Sequence, residues 1–428
     1  MSAGRRLHVV GAGVAGLAAA LTARDAGAEV ALYEAAPQPG GRCRTIVPAT
    51  GFRYDNGTHA LVGANPRALA LLSRVGARER WIEPEPEGLP VYDARDGTLS
   101  RVALSPAGWW RRDRRPPGLG FADLPRLARL ALPLADRPIG PLFAGRPLLE
   151  GFVEPLTVAV LNTPVAIASS AKLGRALRRV VRPGGARLYV ARTGLGPDLV
   201  EPAFAALAAG GAVARTGARL KAIETRAGRV SALVFGEARI AIGEGEGVVL
   251  ALPPAEVARL LPGLDVPDAY EPILNVHVGL ASGPATPRFV GLVGTFSQWV
   301  LVREDHLSVT VSAAGEAKTG DPEGLVARIL GEIAPALAAA GVATGEYGEA
   351  RVVKEKRATI RQVAGAGPVR ARAGVGGLAL AGDWLSPLPA TIEAAIASGE
   401  AAAHALLRDL PARARTPLPA LDAAERAP

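Results

Sequence analysis

One glycine pattern near the start of the chain restricts the possible folds more than any other feature. An apolar segment at 7–10 leads directly into three glycines with the spacing Gly-x-Gly-x-x-Gly, namely Gly11, Gly13 and Gly16. A small-residue stretch that we predict to be helical follows, and then a second apolar segment that ends at Glu34. This is the order of strand, turn, helix and strand in a nucleotide-binding βαβ unit, with an acid at the tip of the second strand. The pattern predicts that the chain binds a dinucleotide.

Each glycine in this pattern has its own physical reason. Gly11 permits the tight turn, Gly13 allows the backbone to approach a pyrophosphate, and Gly16 lets the helix lie close to the strand. The first N–H groups of the helix, at Val14 and Ala15, are free to bind phosphate, and the positive end of the helix dipole favours an anion there. The acid has the separation from the first glycine that is expected of a carboxylate that binds ribose hydroxyls.

The composition is that of a globular protein with substantial cores. The 428 residues allow two or three domain-sized units, and 49% of them are hydrophobic against 21% charged. The net charge of +9 is carried mainly by arginine without any RNA- or DNA-reading motif, so we predict no nucleic-acid partner. Cys43 is the single cysteine, which excludes an internal disulfide and a cysteine-rich metal site, and we predict no metal.

A second glycine pair follows the acid after a short turn. Gly40, Gly41 and Arg42 can bring backbone and a guanidinium against a phosphate or a flavin. The alternative is an ordinary turn with a solvated arginine. Cys43, which comes next, is predicted to be a packing residue.

A third motif lies near the other end of the chain. A predicted strand ends in Gly382 and Asp383, and a carboxylate at a strand tip can bind the ribityl hydroxyls of a flavin. A predicted helix then begins at Ala390, Thr391 and Ile392. The N-terminus of this helix can stabilise the negative charge that grows on a flavin when it is reduced.

Together these segments resemble the FAD-binding amine oxidase and phytoene desaturase superfamily. That superfamily has the same Gly-Gly-Arg stretch and an Asp-x-Gly segment against the flavin, which corresponds here to 54–59. The resemblance implies FAD rather than free NAD as the cofactor, with Gly57 and Thr58 beside it. It also implies an apolar contact between Leu220 and the adenine.

The resemblance further implies the fold class. We expect an α/β protein of the amine oxidase type, in which a Rossmann-type FAD-binding domain carries an inserted α+β substrate domain with an antiparallel sheet and helices. The discontinuous FAD-binding domain is expected over 1–70, 194–252 and 370–410. The substrate domain, which would face a membrane, is expected over 71–193 and 253–369, with a loose C-terminal tail at 411–428.

Four more segments narrow the resemblance to one branch of the superfamily. They are Leu-Asn-Thr-Pro at 161–164, Ile-Leu-Asn-x-His at 273–277, Gln-Trp at 298–299 and Leu-Pro-Ala-Thr-Ile-Glu at 388–393. Together they resemble the hydroxysqualene dehydroxylases, also described as squalene-associated FAD-dependent desaturases. The resemblance implies reduction of hydroxysqualene to squalene in hopanoid biosynthesis, with hydride passing from N5 of the reduced flavin to an allylic carbon.

Such a reaction needs an acid or a hydrogen-bond donor, because hydroxide is a poor leaving group. The candidates are His59, Asn275 and His277. Asn275 and His277 share one face of a predicted alternating strand, and the resemblance favours His59 because it lies in the segment beside the flavin. A purely structural role is the alternative for either histidine.

Residues 109–134 suggest a contact with a membrane surface. Trp109 and Trp110 stand among arginines, and an apolar helical stripe follows, as in basic amphipathic helices at a bilayer interface. An alternative with equal weight is a helix that covers the substrate domain and has its arginines in water.

The sequence has no long apolar span and no signal peptide, so we expect a cytoplasmic protein. Contact with the inner face of the cytoplasmic membrane is a further hypothesis. The substrate is expected to be a hydrophobic isoprenoid, and the sequence does not indicate the electron donor.

Two other functions compete with dehydroxylation. A carotenoid (phytoene-type) desaturase or another FAD-dependent oxidase would use the same flavin site in the oxidising direction. The aromatic content of 4% argues against an amine oxidase with an aromatic cage. A non-catalytic prenyl-lipid escort would share the fold, but the intact flavin motifs argue against it.

Overall fold

A parallel β-sheet carries the glycine pattern at its centre. The computed structural model describes residues 4–315, 317, 319–367, 369 and 371–411. The strands are β1 (Arg6–Val10), β2 (Glu29–Tyr33), β3 (Thr45–Ile46), β4 (Tyr54–Asp55), β5 (Ala60–Val62), β6 (Trp81–Ile82), β7 (Leu89–Asp93), β8 (Thr98–Val102), β9 (Leu188–Ala191), β10 (Val213–Arg215), β11 (Ala222–Arg226), β12 (Arg229–Phe235), β13 (Ala238–Ala241), β14 (Glu246–Leu250), β15 (Tyr270–Leu280), β16 (Arg288–Val293), β17 (Trp299–Val302), β18 (His306–Val311), β19 (Tyr347–Ile360) and β20 (Leu378–Leu380). The α-helices are α1 (Val14–Asp25), α2 (Pro66–Arg74), α3 (Leu124–Leu130), α4 (Glu154–Leu161), α5 (Ser170–Val180), α6 (Glu201–Ala209), α7 (Pro254–Leu260), α8 (Pro322–Ala339) and α9 (Ile392–Asp409).

The parallel sheet has the strand order β10-β2-β1-β14-β20, and the pairs within it are parallel. Because β1 and β20 run in the same direction, α1 and the loop that leads to α9 leave the same edge of the sheet. The two helices pack closely, and a Cβ on Gly399 of α9 would lie 2.1 Å from the carbonyl oxygen of Ala15 in α1. The glycine turn and the Gly-Asp motif are therefore neighbours in space.

A second, seven-stranded sheet has the order β19-β15-β18-β17-β16-β7-β8. Its central strands pair antiparallel, and β16 pairs parallel with β7. Val276 and Val309 on one face form a buried cluster with Ile329 and Ile333 of α8. Because side chains alternate along a strand, the opposite face of β15 and β18 is left for other contacts.

The helices α3, α4 and α5 form a separate apolar cluster beside the two sheets. Its fully buried members include Ile139, Phe143, Leu148, Leu161 and Leu173. Within the described residues, no helix has both the length and the apolar composition needed to cross a bilayer.

The parallel sheet is assembled from three separate parts of the chain. Its strands come from 6–33, 213–250 and 378–380, whereas the seven-stranded sheet takes its strands from 89–102 and 270–360. The domain boundaries given above remain predictions. Residue 370 and the predicted tail from 412 onwards lie outside the described residues.

Candidate active site

The glycine turn after β1 is closely packed on one side and open on the other. Gly11 has a φ of +99°, and a Cβ there would lie 2.4 Å from the carbonyl oxygen of Ala251. A Cβ on Gly16 would lie 1.8 Å from the carbonyl oxygen of Gly11, so α1 packs directly on the turn. Around the Cβ position of Gly13, by contrast, no described heavy atom beyond its chain neighbours lies within 4 Å. The turn therefore presents bare backbone to open space, as the approach of a pyrophosphate requires.

The Gly-Gly-Arg turn lies against the first turn. Gly13 and Gly40 form a parallel β-bridge, and the N–H of Gly40 donates to the carbonyl oxygen of Ala12 at 2.9 Å. The carboxylate of Glu34 reaches the same place, where it accepts the N–H of Ala12 at 2.7 Å and that of Ala36 at 2.8 Å. Two glycine turns and the acid predicted to bind ribose thus form one continuous rim.

The start of α1 and the second glycine of the pair border this rim. Val14 and Ala15 are the first residues of α1, so their N–H groups have no acceptor within the helix. A Cβ on Gly41 would meet Gly13 Cα at 3.6 Å and would otherwise face open space within the described structure. This is the placement that a phosphate-binding role for these residues needs, and the role itself stays a prediction.

Arg42 pairs with Asp383 across the candidate site. Its guanidinium donates to the two carboxylate oxygens at 2.7 and 3.0 Å, and to the carbonyl oxygen of Ala358 in β19 at 2.5 Å. The Arg42 side chain is nevertheless 40% exposed, so the pair borders an opening. Asp383 raises the pKa of Arg42 further above its usual range, and the guanidinium stays charged. Two residues that we assigned separately to the cofactor are therefore partners of each other.

Helix α9 begins next to this ion pair. Thr391 is its N-cap, and the Thr391 Oγ1 accepts the N–H of Ala394 at 3.4 Å. The N–H of Gly382 donates to the hydroxyl of Ser398 at 3.1 Å, which ties the Gly-Asp turn to the helix. Just before the N-cap, the N–H of Ala390 donates to a side-chain oxygen outside the helix, Gln362 Oε1, at 3.0 Å.

One face of β15 and β18 carries a row of buried polar side chains. Asn275 lies opposite Thr310, and His277 lies opposite Ser308. The hydroxyl of Thr310 donates to Asn275 Oδ1 at 2.9 Å, and His277 Nδ1 lies 2.8 Å from Ser308 Oγ. The predicted shared face of Asn275 and His277 is confirmed, and this face is turned toward the segment at 54–58 and away from α8.

The amide of Asn275 is held through its oxygen, with its nitrogen directed away from these donors. Asn275 Oδ1 accepts from the hydroxyl of Thr310 and, at 3.5 Å, from the N–H of Thr58, and a backbone N–H can only donate. Nδ2 therefore points elsewhere, and it has no acceptor among the described residues. A Cβ on Gly57 would lie 3.7 Å from this Nδ2 and 3.5 Å from the His59 ring. A buried donor without an acceptor costs about 1–3 kcal/mol, so it is a group that a bound ligand can satisfy.

His59 is half-buried, and its ring lies close to Gly57, as the Nδ2 of Asn275 does. Its Nδ1 lies 3.0 Å from the carbonyl oxygen of Gly57, and because a carbonyl only accepts, Nδ1 carries the proton. Nε2 is then an acceptor in the neutral ring and becomes a donor only in the protonated ring. Burial lowers the pKa of His59 below its usual 6.5, although the hydrogen bond to Gly57 opposes this shift. The neutral form therefore predominates at pH 7.

His277 is more deeply buried than His59. Its ring lies 4.9 Å from that of Tyr54, and its Nε2 has no partner among the described residues. Burial, with smaller contributions from the charges of His306 and Arg303, lowers the pKa of His277 to about 3. At neutral pH His277 can form hydrogen bonds but carries no proton to transfer.

Residues that the motifs did not indicate hold Asp55 in place. Asp55 of the Asp-x-Gly segment accepts from Thr45 Oγ1 at 2.6 Å and from the N–H of Leu195 at 2.9 Å, and it lies 3.4 Å from the buried Arg303. Arg303 is 248 positions away in sequence, so local spacing gave no signal for it.

The Leu-Asn-Thr-Pro segment connects the helical cluster to β15 and β19. Asn162 has a φ of +45°, and its Nδ2 donates to the carbonyl oxygen of Glu271 and to Thr359 Oγ1, both at 3.0 Å. Its Oδ1 accepts the N–H of Ala313 at 2.6 Å. A segment to which the resemblance gave no role thus connects α4 to two strands of the seven-stranded sheet.

Leu220 and Cys43 are both buried within apolar clusters. Leu220 is buried in the cluster that contains Tyr33 and Leu233, so its predicted contact with adenine stays a prediction. Cys43 is buried as expected, and burial raises the pKa of its thiol to about 12. The thiol is therefore protonated and unreactive at neutral pH.

These features fit a bound dinucleotide: the paired glycine turns face open space, an acid lies on their rim, and a partly exposed arginine pairs with a buried aspartate beside a helix N-terminus. A family model described as flavin containing amine oxidoreductase matches residues 14–407. The chain belongs to this family. FAD is thereby confirmed as the cofactor, and the chain as an FAD-dependent oxidoreductase.

The similar proteins extend this result over the whole chain. A hydroxysqualene dehydroxylase from Rhodopseudomonas palustris is 35% identical over 418 residues, which cover 94% of this chain and 98% of that protein. One from Zymomonas mobilis is 34% identical over 413 residues, with the same coverage. Among solved structures, cyclohexylamine oxidase from Brevibacterium oxydans is similar with a TM-score of 0.65 at 16% identity, covering 96% of this chain and 99% of that one. The predicted amine oxidase-like fold class is confirmed.

Proposed function

We propose that this chain reduces hydroxysqualene to squalene. The observation that carries the proposal is its similarity to hydroxysqualene dehydroxylases over almost the whole length of both proteins. The segments that resemble that branch include Asn275 and the start of α9, which belong to the candidate site, and Asn162, which bonds to β15 and β19. The substrate would be a hydrophobic isoprenoid alcohol.

Reduced FAD, when bound, supplies the hydride that replaces the hydroxyl group on an allylic carbon, and the hydroxyl leaves with one proton as water. We assign Nδ2 of Asn275, which has no acceptor in the part of the chain that the structure describes, as the donor to the oxygen of that hydroxyl, because Thr310 and Thr58 orient the amide. Protonated His59, whose ring lies at the same point, supplies the proton from Nε2. His277 stays neutral and supports this row as a hydrogen-bonding residue.

For FAD itself, the proposal assigns the glycine rim and the first N–H groups of α1 to the phosphates. Glu34 would bind ribose, and Asp383, held by Arg42, would bind the ribityl hydroxyls. Residues 57–58 and the start of α9 would border the flavin. General acid assistance contributes about 10²- to 10⁴-fold to a rate. Removal of His59 or Asn275 should therefore slow squalene formation strongly.

The test is an anaerobic single-turnover reaction of the purified, chemically reduced holoenzyme with hydroxysqualene. Squalene identified by mass spectrometry, in step with reoxidation of the flavin absorbance, would support the proposal. Flavin that stays reduced while hydroxysqualene is recovered would overturn it, and desaturation of phytoene by the oxidised enzyme would then indicate the carotenoid reaction. Protein that retains no flavin would point to the escort.

The roles of Asn275 and His59 are tested by Asn275→Leu and His59→Gln in the same reaction. We expect each to slow squalene formation at least tenfold while flavin occupancy is kept. His404→Gln is the matched control, because His404 is exposed on α9. Wild-type rates for both site variants would refute the assignment without refuting the reaction.

We also propose that residues 109–134 contact a membrane surface. Trp110 is 76% exposed and Phe121 is 59% exposed, with their ring centroids 6.4 Å apart, and Arg115 lies over the Phe121 ring at 4.5 Å. Trp109, which the sequence paired with Trp110, is instead buried, and its Nε1 donates to the carbonyl oxygen of Ala103 at 2.7 Å. The available pair is therefore Trp110 and Phe121, with arginine at its edge as anionic lipid favours.

Co-sedimentation with phosphatidylglycerol–phosphatidylethanolamine vesicles tests this contact. Trp110→Ser combined with Phe121→Ser should weaken binding about tenfold or more, because each exposed aromatic ring would otherwise enter the interface. Tyr347→Ser is the control, since Tyr347 is 40% exposed at the start of β19. Equal sedimentation of the double variant and the control would exclude membrane contact through Trp110 and Phe121.

A further inference from the structure

Gln362, which lies just after β19, is buried and makes a hydrogen bond with each of its polar groups. It is 1% exposed. Its Nε2 donates to the carbonyl oxygen of Leu161 at 2.7 Å, and its Oε1 accepts the N–H of Ala390 at 3.0 Å. Its backbone N–H donates to Thr163 Oγ1 at 3.0 Å, and its carbonyl oxygen accepts the N–H of Ser169 at 3.0 Å. One side chain thus joins the end of α4 to the loop that starts α9.

The α4 side of this connection is rigid. Thr163 is fully buried, and while it accepts from Gln362 its hydroxyl donates to the carbonyl oxygen of Leu161 at 3.0 Å. Asn162, between them, is fixed by three hydrogen bonds to other parts of the chain. Gln362 is therefore anchored by several hydrogen bonds in addition to the one that it forms with Ala390.

The other side of the connection is the N-terminus of α9. Glu393 in its first turn is also anchored, since its Oε2 accepts the N–H groups of Arg67 and Ala68 at 3.0 Å and its Oε1 pairs with Arg179 at 3.2 Å. Glu393 fixes the helix from the side of α2. Among the described side chains, Gln362 is the one that holds Ala390, directly before the N-cap.

We propose that Gln362 is a positioning residue that raises the reduction potential of the bound flavin by holding the N-terminus of α9 in place. This rests on the proposed function in one respect, namely that the start of α9 borders the flavin. A helix N-terminus stabilises an adjacent negative charge, and the effect declines within the first turn, so it depends on position. Reduced flavin carries more negative charge than oxidised flavin at this edge, so a displaced helix favours the oxidised form.

The expected effect is a change of about tenfold in the equilibrium constant between reduced and oxidised flavin. This exceeds the usual contribution of a helix dipole at an exposed site and lies within the range for partly buried sites. For a two-electron couple it corresponds to a potential about 30 mV lower. A residue that only stabilises the fold would change the melting temperature and leave the potential unchanged.

The experiment compares Gln362→Met with Gln298→Met in the holoenzyme by spectroelectrochemical titration of the flavin. Methionine fills a similar space, but it has no donor for Leu161, and its thioether sulfur is only a weak acceptor in place of the amide oxygen that binds Ala390. Gln298 is a matched control, because its side chain likewise bonds a backbone N–H and a carbonyl oxygen, both of Ser312. A potential about 30 mV lower in Gln362→Met alone is expected, and an unchanged potential overturns the proposal even if that variant melts earlier.

A second pair of variants decides the matter if Gln362→Met does not retain flavin. Thr163→Val removes the hydroxyl that holds the Gln362 backbone, and Thr163→Ser keeps it. We expect a smaller decrease in potential for valine and the wild-type value for serine, and equal potentials for the two refute the proposal. None of these titrations uses hydroxysqualene, so failure of the proposed reaction would leave their result intact.

Discussion

The protonation of His277 offers a quantitative test of the site, because a buried neutral histidine makes stability depend on pH. Its pKa is about 3 in the folded protein against an ordinary 6.5, and the side chain is fully buried. Between these two values the unfolded chain binds a proton that the folded chain does not. Stability from this residue is therefore complete above pH 6.5 and is lost as the pH falls toward 3.

The change in the free energy of unfolding follows from the difference between the folded and unfolded pKa values of His277. Each pH unit between the two pKa values is worth about 1.4 kcal/mol, so lowering the pH from 7 to 5 should cost about 2 kcal/mol through His277. This is a large share of the stability of a typical domain, which is about 5–15 kcal/mol. His277→Gln keeps a hydrogen-bonding group opposite Ser308 and removes the titration.

The assay is urea unfolding of wild-type and His277→Gln holoenzyme at pH 7 and pH 5, followed by far-UV circular dichroism. Other groups titrate in both proteins, so the difference between the two pH dependences isolates His277. Wild type should lose about 2 kcal/mol more than the variant. Equal losses would show that His277 is protonated in the folded state at pH 5, and it would then return as a candidate acid.

Three further results are expected. Single-turnover squalene formation should slow as the pH rises through the pKa of His59, which burial holds below 6.5, and a flat profile would exclude His59 as the proton donor. Arg42→Met should raise the dissociation constant for FAD about tenfold or more, since it leaves Asp383 without its arginine partner. Arg42→Lys should recover part of the lost affinity, and the same dissociation constant for Arg42→Met and wild type in fluorescence titrations would contradict this. Asn162→Ala should lower the free energy of unfolding in urea by about 3 kcal/mol, because three hydrogen bonds are lost at a residue with positive φ. A decrease below about 1 kcal/mol would disprove the connecting role of Asn162.

The sequence was most informative where function depends on local backbone. The positive φ of Gly11 and the close approach of Gly16 could be predicted because each follows from spacing within one turn. The shared face of Asn275 and His277 followed from alternation along one strand. The resemblance then identified the fold class and FAD, which the family match confirms.

Interactions between distant segments were not accessible in this way. Trp109 and Trp110 look equivalent in sequence, yet one is buried and the other exposed, because burial depends on what packs against the segment. Thr310 and Thr58 orient the Asn275 amide from two other elements, and no spacing rule relates them.

The sequence alone therefore determined the nucleotide-binding unit, the cofactor class and the set of candidate donors, because these reside in short motifs whose residues are close along the chain. The tertiary structure decided the hydrogen-bond partners of these candidates and the burial that shifts the pKa values of the two histidines. It paired Arg42 with Asp383, left Nδ2 of Asn275 without an acceptor among the described residues, and placed Gln362 between two motifs. Protonation and hydrogen-bond direction depend on burial and on neighbours from remote parts of the chain, and only the folded chain brings those neighbours together.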